Sequence, residues 1–378
     1  MKEYKPMSLR IIISGGGTGG HVFPALAIAH AIRKMRPGTD ILFIGALGKL
    51  EMEKVPAAGY PIVGLPVIGM PRKLSFRFVP FLMKWMLSLM KARKILKKFK
   101  PHAVIGVGGY ASAPVLQMAV RMNIVTVIQE QNSYAGLVNR SLATKVNRIC
   151  VAYQGMEKYF PPEKIVFTGN PVRTSILQCS THRKEALEHF DLTEERPVIL
   201  VLGGSLGAGT INRSVAKNIK LLQSHNVQVI WQCGEAYSKE AGSLIAENTE
   251  GNKIRLVPFI ERMELAYAAA DIIISRAGAG TISELCVVGK PSILIPSPNV
   301  AEDHQTKNAM MLASVGAAMV ISDAEAVEKL IPSALALLND PDRCRAMAEK
   351  IKELAVTDAD ERIAKVVFSL TDTLQHES

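Results

Sequence analysis

The chain has few cysteines, and they are scattered: Cys150, Cys179, Cys233, Cys286 and Cys344, with no C-x-x-C pair. Isolated thiols of this kind argue against zinc spacing and against a disulfide framework, and they suit a reducing compartment. Aromatic residues make up only 6% of the chain. With no recognised nucleic-acid motif, that scarcity argues against a nucleic-acid partner. No apolar run approaches the roughly 20 uninterrupted residues that a spanning helix needs. The early run at residues 9–13 leads directly into glycines, so no secretory signal is visible. Acids are absent between Glu53 and Glu130, although lysines and arginines recur throughout that stretch.

What is present begins with 378 residues, more than one hydrophobic core usually organises, so two domains are expected. The hydrophobic fraction of 48% is that of a globular protein. Lysine and arginine outnumber aspartate and glutamate by 45 to 34, a formal net charge of +11. That balance favours anionic partners, either phosphate-bearing substrates or a membrane surface.

The two halves open alike. Residues 9–13 read as a buried strand, followed by Gly15-Gly16-Gly17-Thr18-Gly19-Gly20, and Pro24 begins a helical stretch through Ile28 and Ile32. About half a chain later, residues 198–202 read as a strand, residues 203–208 as a glycine turn and residues 211–222 as a helix. Further strands are expected at residues 41–45, 103–107 and 124–128, then at 227–232, 272–275 and 292–296. Strands alternating with helices imply α/β architecture with parallel sheets, which bind ligands beyond the carboxyl ends of their strands. Residues 168–173 read as a hinge, and the last helical stretch, residues 358–374, as a brace returning to the first domain. The expected division is 1–170 completed by 358–378, and 171–357.

Gly15, Gly17 and Gly20 fit G-x-G-x-x-G, where glycine admits a phosphate close to the backbone and the following helix offers free N–H groups. A dinucleotide fold would place an acid at the end of the second strand to hold a ribose. Here that strand ends in Ala46 and Leu47, with Asp40 at its other end, which argues against NAD. A third glycine cluster runs Gly278-Ala279-Gly280-Thr281-Ile282-Ser283-Glu284. Glu284 would fall in the first turns of a helix, with two acceptor oxygens to meet the two hydroxyls of a ribose.

Taken in order, these motifs resemble the MurG family of UDP-N-acetylglucosamine transferases. The matching pieces include residues 15–27, Gly108-Gly109-Tyr110, Glu130-Gln131-Asn132, Gly169-Asn170-Pro171-Val172-Arg173, residues 203–208, Phe259-Ile260, residues 278–284 and Asp303-His304-Gln305. They span nearly the whole chain. The sequence departs from the family pattern at Gln129, Thr306 and Gly280.

The resemblance implies a GT-B fold, two Rossmann-like parallel-sheet domains facing a cleft, and an inverting reaction without metal or other cofactor. It implies UDP-N-acetylglucosamine as donor and muramoyl-pentapeptide diphosphoryl-undecaprenol as acceptor in cell-wall synthesis. The first domain would take the lipid acceptor and the second the UDP-sugar. Carried over residue by residue, the family's donor contacts fall on Thr18, Gly19, Gly20, Asn132, Arg173, Ser205, Ile260, Ala279, Gly280, Thr281, Ile282, Ser283, Glu284 and Gln305. Ser205 and Arg173 would hold the diphosphate, Ile260 the uracil through its backbone, Glu284 the ribose, and Gln305 and Asn132 the sugar. His21 is a candidate base, because its ordinary pKa lies near working pH; the alternative is a histidine that caps the loop. Glu130 is a second candidate base.

In the acid-free stretch, helical spacing around Trp85 places Phe78, Phe81, Leu82, Leu89, Leu96 and Phe99 on one stripe. Val79, Met83, Met86, Leu87 and Met90 occupy the opposite face. A helix apolar on both sides needs a second hydrophobic neighbour, and the cations beside it suggest an anionic membrane; the alternatives are a helix buried on both sides or a subunit contact. Phe78, Val79, Leu82, Met83, Trp85, Met86 and Met90, with Arg77 and Lys84, are the expected membrane contacts, which would make this a peripheral protein on the cytoplasmic face. A glycolipid synthase of related fold, or a non-catalytic nucleotide-sugar-binding module, is the competing reading.

Overall fold

The computed structural model describes residues 8–69, 78–204, 207–247, 254–300 and 303–376. Two expected contacts, Arg77 and Ser205, lie outside the described residues. The chain divides into two compact units, Met1–Val172 with Asp358–Ser378, and Arg173–Thr357.

The first unit runs β1 (Arg10–Ser14), α1 (Gly19–Met35), β2 (Asp40–Ala46), α2 (Glu51–Ala57), β3 (Ile62–Leu65), α3 (Phe78–Phe99), β4 (Ala103–Gly106), α4 (Ser112–Arg121), β5 (Val125–Glu130), α5 (Leu137–Leu142), β6 (Arg148–Val151) and β7 (Ile165–Phe167). The second opens with α6 (Thr174–Leu177), α7 (Arg183–His189), β8 (Val198–Leu202), α8 (Gly209–Lys217), α9 (Ile219–Ser224), β9 (Gln228–Gln232), α10 (Glu235–Ala246) and β10 (Ile254–Val257). It continues through α11 (Met263–Ala269), β11 (Ile272–Ser275), α12 (Ala279–Val288), β12 (Ser292–Leu294), α13 (His304–Ser314), β13 (Met319–Val320), α14 (Asp323–Leu338) and α15 (Pro341–Glu353). The final helix, α16 (Ala359–His376), belongs to the first unit.

Each unit is built on a parallel sheet. The first has seven strands in the order β3-β2-β1-β4-β5-β6-β7, and the second has six in the order β10-β9-β8-β11-β12-β13. Strands buried on both faces favour apolar side chains, and β8 is apolar and β11 apolar up to Ser275, both buried throughout. In β1, Ile11 and Ile13 face a core shared with α1 and α16, while Ile12 faces a core shared with α3 and α4. Both sheets are Rossmann-like, with strand order reversing between β1 and β4 and between β8 and β11. That reversal opens a crevice at the carboxyl ends of the strands. All five cysteines are free, and burial pushes the Cys150 and Cys286 thiols up to about 12, which keeps them protonated and unreactive.

Two helices differ from expectation. The first begins at Gly19 rather than at Pro24, with Thr18 as its extended N-cap residue and His21 N–H donating to Thr18 O at 3.1 Å. Pro24 sits inside it, close enough to the start that its missing N–H removes only one early bond. The helix expected at residues 211–222 is two, α8 and α9, separated at Asn218, whose Nδ2 donates to Ser214 O at 2.8 Å. Among the described residues no helix is long and apolar enough to cross a membrane.

Candidate functional site

In the first unit, the switch point gathers two glycine turns. β1 and β4 are paired up to Ser14 and Gly106, so the turns that follow them emerge side by side. Gly109 has φ +81°, and a Cβ there would lie 2.2 Å from Gly16 O, so only glycine permits this approach of one backbone to the other. Gly17, Thr18 and Gly20 are exposed at the start of α1, where the N–H groups of Gly19 and Gly20 precede the first helical bonds, made by His21 and Val22 N–H to Thr18 O.

His21, in that first turn, is half-buried. Its Nδ1 lies 3.2 Å from Thr18 Oγ1, and its ring packs against Gly108, where an added Cβ would meet Nε2 at 2.8 Å. In the tautomer whose Nδ1–H donates to Thr18 Oγ1, Nε2 is the ring atom that can accept a proton.

Glu130 ends β5 and is buried. Oε1 accepts from Asn132 N–H at 3.1 Å, and Oε2 accepts from Gly136 N–H at 3.0 Å and Asn139 Nδ2 at 2.8 Å. These bonds spend the carboxylate on shaping the loop that carries Asn132. Beside it, Gln129 Nε2 donates to Asn170 Oδ1 at 2.8 Å and Asn170 Nδ2 to Gln131 O at 2.9 Å, so the departure at Gln129 is absorbed by a buried amide network.

In the second unit, β8 and β11 are paired up to Leu202 and Ser275, so the second and third glycine clusters also start side by side. Gly204 and Gly207 have positive φ angles of +77° and +78°. Gln232 Nε2 donates to Gly204 O at 2.7 Å and to Pro258 O at 3.3 Å, tying the glycine turn to the segment carrying Ile260. Ile260 is itself buried.

Gly278 is the extended N-cap residue of α12, which carries Ala279, Gly280, Thr281, Ile282, Ser283 and Glu284. Ile282 points into the core, and Ser283 Oγ donates to Ala279 O at 3.0 Å. Glu284 Oε1 accepts from Arg173 Nε at 2.9 Å and lies 2.8 Å from Arg173 Nη2. Its Oε2 accepts from Tyr267 Oη at 2.9 Å. Burial pushes the Glu284 carboxyl above the usual carboxylate range, against the opposing pull of Arg173 and the Tyr267 hydrogen bond. Arg173, expected at the diphosphate, is thus tied to the ribose candidate. Gln305, at the start of α13, accepts from Ser297 N–H through Oε1 at 2.9 Å.

Sequence reasoning missed Tyr267, a fully buried residue of α11. It also missed the lock formed by Asp323, which pairs with Arg276 and accepts from Thr210 Oγ1 at 2.9 Å. Arg276 also donates to Ile295 O and Pro296 O, both at 3.2 Å, so one guanidinium fastens three strand and helix ends behind the glycine clusters. An arginine directly after a strand and before a glycine cluster was the only trace of this in the sequence.

On α3, Ser88, Ala92 and Leu96 form the buried line, at four-residue spacing. Leu82, read onto the inner stripe, is exposed on the outer side, because the helix turns its small Ser88 and Ala92 inward for close packing on α4. Val79, Met83, Met86, Leu87 and Met90 are exposed, Met83 by 63%. Phe78, Phe81 and Trp85 are half-buried in a chain of ring contacts at 5.7 and 6.2 Å. Lys84 is exposed beside them.

Comparison with known proteins agrees with this architecture. Residues 11–151 match the glycosyltransferase family 28 N-terminal domain, and residues 198–363 match the family 28 C-terminal domain. A protein of Phocaeicola vulgatus is 51% identical over 98% of this chain and 99% of its own length. One from Cytophaga hutchinsonii is 50% identical over 99% of each. Both are named UDP-N-acetylglucosamine–N-acetylmuramyl-(pentapeptide) pyrophosphoryl-undecaprenol N-acetylglucosamine transferase. The crystal structure of Acinetobacter baumannii MurG superposes with a TM-score of 0.75 at 28% identity, over 96% of this chain and 99% of that one. The chain therefore belongs to glycosyltransferase family 28, among the MurG-type N-acetylglucosamine transferases with the GT-B fold.

Proposed function

We propose that this chain is the hexosyltransferase that moves N-acetylglucosamine from UDP-N-acetylglucosamine to muramoyl-pentapeptide diphosphoryl-undecaprenol, with inversion at the sugar carbon. The observation that carries the reading is the pair of glycine clusters at each switch point. The reaction has two diphosphates to hold, one on each substrate. Each unit offers one crevice with glycine turns and a helix start, the arrangement that suits a phosphate.

The lipid-linked diphosphate is assigned to the start of α1 and the UDP diphosphate to the start of α8, with Glu284 on the ribose. His21 Nε2 takes the proton of the acceptor hydroxyl as that oxygen bonds to the sugar carbon. The bond from that carbon to UDP breaks, and UDP leaves with the electron pair, its charge met by helix N–H groups. Glu130 is assigned the shaping of the Asn132 loop, because its oxygens already accept from Asn132, Gly136 and Asn139. Thr18, Gly19 and Gly20, expected among the donor contacts, are assigned instead to the acceptor side because they open α1, and Asn132, Ile260, Ala279, Thr281 and Gln305 are assigned to the donor side.

The exposed outer face of α3 is assigned to an anionic membrane. Val79, Met83, Met86 and Met90 follow helical spacing on one side, and Lys84, Arg93 and Lys94 are exposed on the same helix. Apolar insertion with flanking cations is the pattern of a helix lying in a lipid interface. The protein would then sit peripherally at the cytoplasmic face, where an undecaprenyl acceptor is held.

The test is a donor panel with the lipid acceptor. UDP release with UDP-N-acetylglucosamine, and little with the N-acetylgalactosamine or glucose donors, is expected. Equal release from the glucose donor, or none from any, would end the assignment.

A further inference from the structure

Glu51 is a buried carboxylate to which neither the sequence motifs nor the reaction assigns a task. It opens α2, is 1% exposed, and stands beneath the first glycine turn. Its Oε2 accepts from Gly17 N–H at 2.8 Å and its Oε1 from Ala46 N–H, also at 2.8 Å. The turn after β1 and the end of β2 are thus fastened to one side chain.

The surrounding glycines make room for that carboxyl group. A Cβ on Gly16 would lie 2.1 Å from Oε1, and one on Gly45 would lie 2.4 Å from Cγ. Gly17, with φ +93°, holds the bonded N–H and directly precedes Thr18. Thr18 in turn is the N-cap residue of α1 and the hydrogen-bond neighbour of His21. On its other side the turn is pressed by Gly109, so its shape is set from two directions.

We infer that Glu51 is a positioning residue for the acceptor: by gripping Gly17 N–H and Ala46 N–H it aims the start of α1, and with it His21, at the lipid-linked diphosphate. This rests on the assignment of that diphosphate to the first unit. Burying a carboxylate is costly unless its oxygens are bonded, and here both are bonded to backbone of the turn and the neighbouring strand. An apolar residue at this place could fill space but could not fix the direction of either N–H.

Glu51→Gln keeps the shape and removes one acceptor oxygen, so an amide N–H₂ must face a backbone N–H. The expected result is a fall of about tenfold in kcat/KM for the lipid acceptor, with UDP binding, measured by titration, unchanged from wild type. Glu51→Asp, one methylene too short to reach both partners, should show the same selectivity to a lesser degree. Unchanged acceptor kinetics in Glu51→Gln, equal losses for donor and acceptor, or failure of both variants to fold would each overturn the assignment. Wild-type turnover is measured alongside. Its absence would remove the transfer reading itself, whereas a silent Glu51 variant of an active enzyme removes only this assignment.

Discussion

Tyr267→Phe tests the donor side with one atom. The ring remains to fill its buried place, and the only loss is the hydroxyl that bonds Glu284 Oε2 at 2.9 Å. A hydrogen bond to a charged group contributes about 1.5–3 kcal/mol, so Tm should fall accordingly. The effect on donor affinity is smaller, because Arg173 still holds Oε1 and the lost bond is present with and without ligand. What UDP must then supply is the ordering of the loosened carboxylate, about 0.5–1.5 kcal/mol, or roughly a two- to tenfold rise in Kd. The pH dependence separates this from loose packing. Burial raises the Glu284 pKa, and the Tyr267 bond is one of the influences holding it down. With Glu284 assigned to the ribose as proposed, donor affinity should need the ionised form and be lost as pH falls through the folded pKa, at a pH where an ordinary glutamate is still ionised. Removing the hydroxyl moves that acid limb to higher pH. The stability linkage runs the other way: a carboxyl whose folded pKa is raised contributes stability below its unfolded pKa and loses it as pH rises through the folded value. Calorimetric titration of UDP across the acid limb, beside thermal melts at the same pH values, reads both. An unshifted acid limb in Tyr267→Phe would refute the reasoning.

Three further outcomes are expected. His21→Ala should lower kcat by about 10²–10⁴-fold while UDP binding stays intact, and full turnover in the variant would remove His21 as the base. Met83→Asp with Met86→Asp should weaken binding to vesicles containing anionic phospholipid by at least about tenfold, since each buried methionine contributes about 1.5–3 kcal/mol; co-sedimentation measures this, and UDP titration should be unaffected. Gly109→Ala puts a side chain at φ +81° and 2.2 Å from Gly16 O, so Tm should fall by the equivalent of at least about 1–3 kcal/mol and acceptor turnover with it; an unchanged melt would show that the two turns do not need their close approach.

The strands at the middle of each sheet were legible because burial on both faces leaves them as near-continuous apolar runs, with polar residues mainly at their ends. β8 and β11 appear at the residues expected. The edge strands were not legible. β10 is half-buried throughout, with Arg255 reaching back to Phe190 O at 2.8 Å, and β13 is only two residues long. Pro24 misled because it was read as the first helical position, where a proline loses no bond, whereas it stands five residues inside α1. The glycine clusters and Glu284 could be found from spacing along the chain. Tyr267 and Glu51 could not, because Glu284 lies 17 residues from Tyr267 and Gly17 lies 34 from Glu51, and each pair meets only through tertiary packing. The bonds that occupy Glu130 are local, to Asn132, Gly136 and Asn139, but they depend on how the loop after β5 folds back, which spacing does not show.

The first unit is not contiguous. Its core includes Ile363, Ala364, Val367 and Phe368 from α16, and Arg36 both pairs with Asp372 at 2.6 Å and lies over the Phe368 ring. During synthesis, this sheet therefore waits with an uncovered greasy flank while the whole of the other unit is translated. Its last supporting helix leaves the ribosome only after residues 173–357 have had time to fold. Expression of residues 1–172 alone should yield a chain that clings to chaperones, and supplying α16 as a separate peptide should restore its solubility.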